Sequence, residues 1–278
     1  MNDLRRQPIF TNVRLREGVR ARVYFNDLPL FQGIEGGGFS LNGGITHLLV
    51  PGENEVAVEI LVAPAPRDGR LEYTPDPRPD MNGFDLNQTI EVFVFKERAP
   101  ETKEIEIIHH FMFPDLWKDV PEERRQRPFY HRSRFDPGAK IPELAFLSVK
   151  PQQIPCAGTP ALHEAVRELH GAIVSKNLQA TIDAMGLQMR EFTASNPADP
   201  GTTPAAQIEA LEQMFAEEIV VAPLIPEQLH FTPRAGDRVA HVERLDSRPV
   251  IDVKTVGVPQ GTRFDPLFTL EDGRWRLM

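Results

Sequence analysis

Histidine supplies the first candidates for chemistry, because its charge changes near neutral pH and it is the commonest metal ligand. His163 and His170 fall on one helix face but are seven residues apart, about 10.5 Å along the axis. One metal ion needs the i, i+4 spacing, so the pair cannot share one. His109 and His110 are adjacent in a strand-like stretch and point to opposite faces, so they do not act together either. The glycine-rich run Gly33-Ile34-Glu35-Gly36-Gly37-Gly38 is followed by Phe39-Ser40 rather than Lys-Ser/Thr and opens no helix. It reads as a bulge or strand crossing, not a phosphate cradle. Ser40 lacks the G-x-S-x-G elbow that would expose a nucleophile. The lone cysteine, Cys156, lies between Pro155 and Ala157 with no base or second thiol beside it, which fits a linker residue in a reducing compartment. No metal site and no cofactor motif is expected.

Charge gives a stronger signal. The net charge is −9, and it is uneven: residues 1–150 hold 20 basic and 23 acidic side chains, residues 151–278 hold 11 and 17. Clustered Lys and Arg are what bind polyanions, so nucleic acid and anionic membranes are excluded as expected partners and a basic protein is favoured. The acid concentrates after Thr203-Pro204. There Ile208, Leu211 and Phe215 form an apolar stripe, and Glu209, Glu212, Glu217 and Glu218 face elsewhere with no Lys or Arg between Thr203 and Ile219. With Asp199 just before them, these carboxylates are the expected contact for a basic partner. The competing reading is a solvated helix face.

These residues need positioning. In the first half, Val19/Ala21/Val23/Phe25, Val56/Val58/Ile60/Val62, Ile90/Val92/Val94 and Ile105/Ile107/His109/Phe111 alternate with polar residues at the period of half-buried strands. Asn26-Asp27, Asn42-Gly43-Gly44 and Pro51-Gly52-Glu53-Asn54 are the expected reversals. The stretch from Phe39 to Val62, with its proline-glycine-glutamate-asparagine turn, resembles the jelly-roll carbohydrate-binding type and implies a β-sandwich. From Thr159 the period becomes 3.6: Thr159-Pro160 caps a helix with Leu162, Val166, Leu169 and Ile173 on one face, and a second helix runs from Asn177 to about Ser195. Strands follow over 229–234, 238–244, 250–256, 264–270 and 274–277. Three helices, a curved antiparallel sheet and the closing Asp272-Gly273-Arg274-Trp275 hairpin resemble the nuclear-transport-factor-2-like (cystatin-like cone) family. The expected architecture is therefore two domains: an all-β jelly-roll-like sandwich over 1–150, a linker over 151–158, and a nuclear-transport-factor-2-like α+β cone over 159–278.

Enzymes of that cone shape hold an acid and a base inside it, which singles out His241 and Asp252. A surface histidine on a sheet is the favoured alternative, because two common residues carry no spacing signature. Two long segments, Pro64 to Asn87 and Pro114 to Pro142, interrupt the strands. The second interleaves Trp117, Phe129, Tyr130 and Phe135 with arginines, either as a recognition surface through Trp117 and Tyr130 or as a loop pinned by its aromatics. No apolar run of about 18 residues and no apolar leader after Met1-Asn2-Asp3 is present, so a cytoplasmic protein is expected. Its architecture resembles bacterial toxin-immunity proteins, which implies a non-catalytic binder of a basic toxin such as a secreted nuclease. The alternative is a small-molecule-binding or enzymatic cone with a sandwich accessory. No oligomeric state is assigned.

Overall fold

The computed structural model describes residues 9–15, 20–32, 39–61, 90–99, 104–112, 129–196, 200–246, 248–258 and 261–278. Among the described residues there are four antiparallel sheets and three α-helices, and these helices lie in the C-terminal half. The chain divides into two compact units, 1–142 and 143–278. Among the described residues no helix is long and apolar enough to cross a membrane.

The first unit contains β1 (Ile9–Leu15), β2 (Arg20–Phe25), β3 (Leu28–Gln32), β4 (Phe39–Gly44), β5 (Asn54–Leu61), β6 (Ile90–Ala99), β7 (Glu104–Met112) and β8 (Phe129–Phe135). They form two four-stranded sheets, β4-β1-β6-β7 and β3-β2-β5-β8. Val13, Val92 and Val94 from one, and Ala21, Val23, Phe25, Val56 and Val58 from the other, are buried. The period-two reading of β2, β5 and β6 therefore marks the core. Val19 and Val62 lie outside the described residues.

Two expectations fail here for identifiable reasons. Asn42-Gly43-Gly44 is not a reversal: it lies in β4, paired with Asn12, Thr11 and Phe10 of β1. The reversal comes at Thr46–Leu48, where the Thr46 hydroxyl accepts the Ile9 amide at 2.9 Å. In β7 the ladder shifts between Ile107, opposite Phe95, and His109, opposite Val94. The extra residue, Ile108, makes a bulge that flips the side-chain alternation. Ile105 and Ile107 are consequently exposed while Phe111 is buried.

The second unit holds α1 (Pro160–Val174), α2 (Leu178–Ser195), α3 (Pro204–Ala216), β9 (Ile219–Val221), β10 (Leu229–Arg234), β11 (Val239–Arg244), β12 (Ile251–Thr255), β13 (Gly261–Phe264), β14 (Leu267–Glu271) and β15 (Arg274–Leu277). Each helix starts on a side-chain cap: Thr159, Asn177 and Thr203 accept the amides of Leu162, Ala180 and Ala206. Such caps satisfy amides that the first helical turn leaves without partners. Leu162, Val166, Leu169 and Ile173 of α1 are all buried against Leu229, Phe231, Ala240, Val242, Phe268 and Leu277.

The strands make two ladders, β10-β11-β14-β15 and β13-β12-β9, rather than one curved sheet. The expected 264–270 strand is split at Asp265-Pro266. Proline has no amide hydrogen to give the ladder, and Asp265 spends its carboxylate on the amide of Val250 at 2.9 Å. Residues 151–158, expected as a linker, are hydrogen-bonded into this unit through Gln152 N to Asp237 O at 2.7 Å and Phe231 N to Cys156 O at 2.9 Å.

Candidate interaction surface

Helix α3 forms because Thr203 caps it and Pro204 occupies its first turn, where the missing amide hydrogen costs nothing. Gln207 ties its start to α2, donating to Met189 O and Thr193 Oγ1 at 3.2 and 3.1 Å, and to the turn before it at Thr202 O at 2.7 Å. Its apolar stripe is only half-buried, with Met214 and Phe215 packed on the core and no residue of the helix fully enclosed. At its end, Lys176 Nζ donates to the carbonyls of Phe215 and Glu217 at 3.0 and 2.5 Å. A cation there complements the helix dipole.

Glu209, Glu212, Glu217 and Glu218 are exposed. Glu209 accepts a hydrogen bond from Gln213 at 3.3 Å, and among the described residues none of the four makes an ion pair. The first unit behaves differently. There Glu53, Glu55, Glu59, Glu91 and Glu106 meet Arg134, Arg132, Arg22, Arg14 and Lys96 at 2.9, 3.3, 3.8, 3.2 and 3.2 Å. Moreover, Glu217 and Glu218 sit past the C-terminal end of α3, where negative charge opposes the dipole. Asp199 and Trp117 lie outside the described residues, as do 33–38 and most of the two long segments. The backbone of Tyr130 pairs with Glu59 in β8, and its side chain is not described.

His241 and Asp252 belong to different ladders. β11 is flanked by β10 and β14, β12 by β13 and β9. Asp252 accepts from Arg263 Nε at 3.2 Å. His241 is 1% exposed, so the surface-histidine alternative does not describe it, and its Nδ1 lies 3.4 Å from Glu243 Oε2. The same oxygen accepts the Thr232 hydroxyl at 3.1 Å. Glu243 is the partner the sequence could have supplied, since 241 and 243 share a strand face. The imidazole is enclosed.

The histidine pairs separate as expected. His163 Nε2 and His170 Nε2 meet the carbonyls of Ala157 and Ala222 at 2.7 and 2.8 Å. His110 stacks on Phe93 with centroids 4.3 Å apart and meets Glu91 at 3.2 Å. His109 turns to the other face, 2.9 Å from Ser133 Oγ on β8 and stacked on Phe135 at 5.5 Å. That contact joins the two sheets of the first unit, and no local sequence signal announces it. Among the described residues no three His, Cys, Asp or Glu side chains gather as a metal site.

Burial lowers the pKa of His109, helped by the charges of His110 and His131, and lowers that of His131. Burial also pushes His47 down from 6.5 to about 4. An imidazole whose folded pKa is depressed stabilises the fold above its unfolded pKa, because below it the unfolded chain binds the proton more readily. The first unit should therefore lose stability as pH falls from about 6.5 towards 4. Urea midpoints measured at steps across that range should decline, and His47→Gln should decline less. A flat profile would contradict the assignment.

No family model matches the sequence, and no curated protein or solved structure matches it either.

Proposed function

We propose that this chain is a non-catalytic binder of a basic protein, engaged through α3, and that its working role is toxin neutralisation of the immunity-protein kind, acting in the cytoplasm. The observation that carries the reading is the set of exposed carboxylates Glu209, Glu212 and Glu217, joined by Glu218, which make no ion pair among the described residues. In the first unit of the same chain, Glu53, Glu55, Glu59, Glu91 and Glu106 each meet an arginine or a lysine. Unmatched charge of one sign raises the association rate of a partner of the other sign and screens away with salt. Where that partner is a nuclease, its basic cleft is the complementary surface.

The core beneath the helices also favours a binder over a ligand-holding cone. Met189 is buried, and Ala184, Met185, Met214 and Phe215 pack against the apolar cluster around Leu169 and Val242. His241, the weak catalytic alternative, is enclosed and lies on a different ladder from Asp252. We read the first unit as a jelly-roll-like sandwich on the Phe39-to-Val62 resemblance, and the second as a variant of the cone on its three helices and closing hairpin, with its strands in two ladders rather than one curved sheet.

Neutralising Glu209, Glu212 and Glu217 to Gln should slow association with the partner by about tenfold or more at low salt and flatten the salt dependence. All three side chains are exposed, so the fold should be unaffected. Unchanged association kinetics would remove α3 as the contact.

A further inference from the structure

The ladder β13-β12-β9 presents one face to the core and one to solvent. Val221 pairs with Val253, Val220 with Lys254 and Ile219 with Thr255, and the Val256 amide extends the ladder to Glu218 O at 2.8 Å. Val253 belongs to the core cluster, and the half-buried Ile219 and Val221 pack against it. Alternation then places Glu218, Val220, Lys254 and Val256 together on the outer face. All four are exposed, the valines by 57% and 54%. Val258, in the turn that follows, is 50% exposed and extends the apolar patch.

Val220, Val256 and Val258 together leave an apolar patch in water, which is costly unless something covers it. The arrangement says what does. The four side chains form a quadrilateral with the valines on one diagonal and Glu218 and Lys254 on the other, and neither charged group makes an ion pair among the described residues. A two-fold axis lying along the valine diagonal sets Val220 and Val256 against the same residues of a second molecule. It also sets Glu218 over Lys254 of that molecule, and Lys254 over its Glu218. The patch is self-complementary in both shape class and charge, the requirement for an isologous interface. Gly261, opposite Lys254, adds no side chain that would hold the two faces apart.

We propose that the outer face of this ladder is the contact between two copies of the chain, closed by valine-on-valine packing and two reciprocal Glu218–Lys254 ion pairs. A patch this small sits at the weak, reversible end of protein interfaces. The proposal does not depend on the partner reading, which stands on Glu209, Glu212 and Glu217 when Glu218 is engaged here.

Sedimentation equilibrium of the full chain over a concentration series tests it. Wild type should show a reversible monomer–dimer equilibrium. E218K and K254E should each raise the dimer dissociation constant by at least about tenfold, since each sets like charges face to face. The double variant E218K/K254E should recover most of that loss, an outcome that misfolding cannot imitate. A chain that stays monomeric to its solubility limit overturns the proposal. So does a dimer indifferent to both single reversals, or a double variant no better than the singles.

Discussion

Gly158→Ala should destabilise the second unit by about 2 to 5 kcal/mol, a large effect for one added methyl group. Gly158 has φ +75°, a left-handed conformation that costs an L-residue about 1 to 2 kcal/mol. A Cβ there would also lie 2.5 Å from Cε2 and 2.6 Å from Cδ2 of Phe231. Phe231 is fully buried, its amide is bonded to Cys156 O at 2.9 Å, and the His163 ring stands edge-on to it at 4.9 Å. The ring cannot withdraw without breaking these contacts, and overpacking of this kind costs about 1 to 3 kcal/mol. Urea unfolding followed by Trp275 fluorescence in a Trp117→Phe background reports the second unit. The exposed Cys156→Ser should shift the midpoint by less than about 0.5 kcal/mol. If Gly158→Ala shifts it no more than that, the packing of residues 155–158 on Phe231 is wrong.

Asn54→Ala should have a comparable effect on the first unit, about 3 kcal/mol. Asn54 is 1% exposed. Its Nδ2 donates to Val50 O and Gly52 O at 2.9 and 2.7 Å, and its Oδ1 accepts from Val50 N and Asn26 Nδ2, both at 2.8 Å. Asn26 in turn donates to Leu48 O at 2.9 Å and accepts Glu55 N at 3.0 Å. Alanine removes all four bonds and leaves their backbone partners short of replacements, at about 1 to 3 kcal/mol for each group that stays dry. Asn54→Asp keeps the acceptor and loses both donations, so it should fall between. A loss below about 1 kcal/mol for alanine would mean that water replaces the network.

The proline-glycine-glutamate-asparagine turn shows how far the sequence carries. A bend at Pro51-Gly52 was legible from residue types, but it leads between strands of different sheets rather than closing a hairpin, and the reason for the asparagine was not legible, because Asn26, one of its partners, is 28 residues away. Helix starts were legible for the opposite reason: Thr159, Asn177 and Thr203 act on amides three residues on. β4 was hidden because Gly43 and Gly44 signal turns locally, while pairing with β1 settles their conformation. The β7 bulge was hidden because nothing in an alternating run marks the extra residue. The break at Pro266 was legible in principle, since a proline argues against an unbroken ladder.

The candidate surface divides in the same way. The one-sign charge of α3 is a property of its own residues and could be read directly. That Lys176 caps its end, from 39 residues away at Phe215, could not. Nor could the Ser133–His109 contact, made between strands of different sheets and 24 residues apart. The Glu218–Lys254 diagonal required the register of β9 on β12, and β9 is a three-residue strand too short to carry a period.

The central claim is that α3 recruits a basic protein. It is tested most directly by capturing proteins from the host with the tagged chain and with its Glu209→Gln/Glu212→Gln/Glu217→Gln variant side by side, eluting both with a salt gradient and identifying the eluates by mass spectrometry. The account predicts one basic protein on the native chain, released at high salt, and its loss from the variant. The same proteins on both, or a native-chain partner without net positive charge, would contradict it.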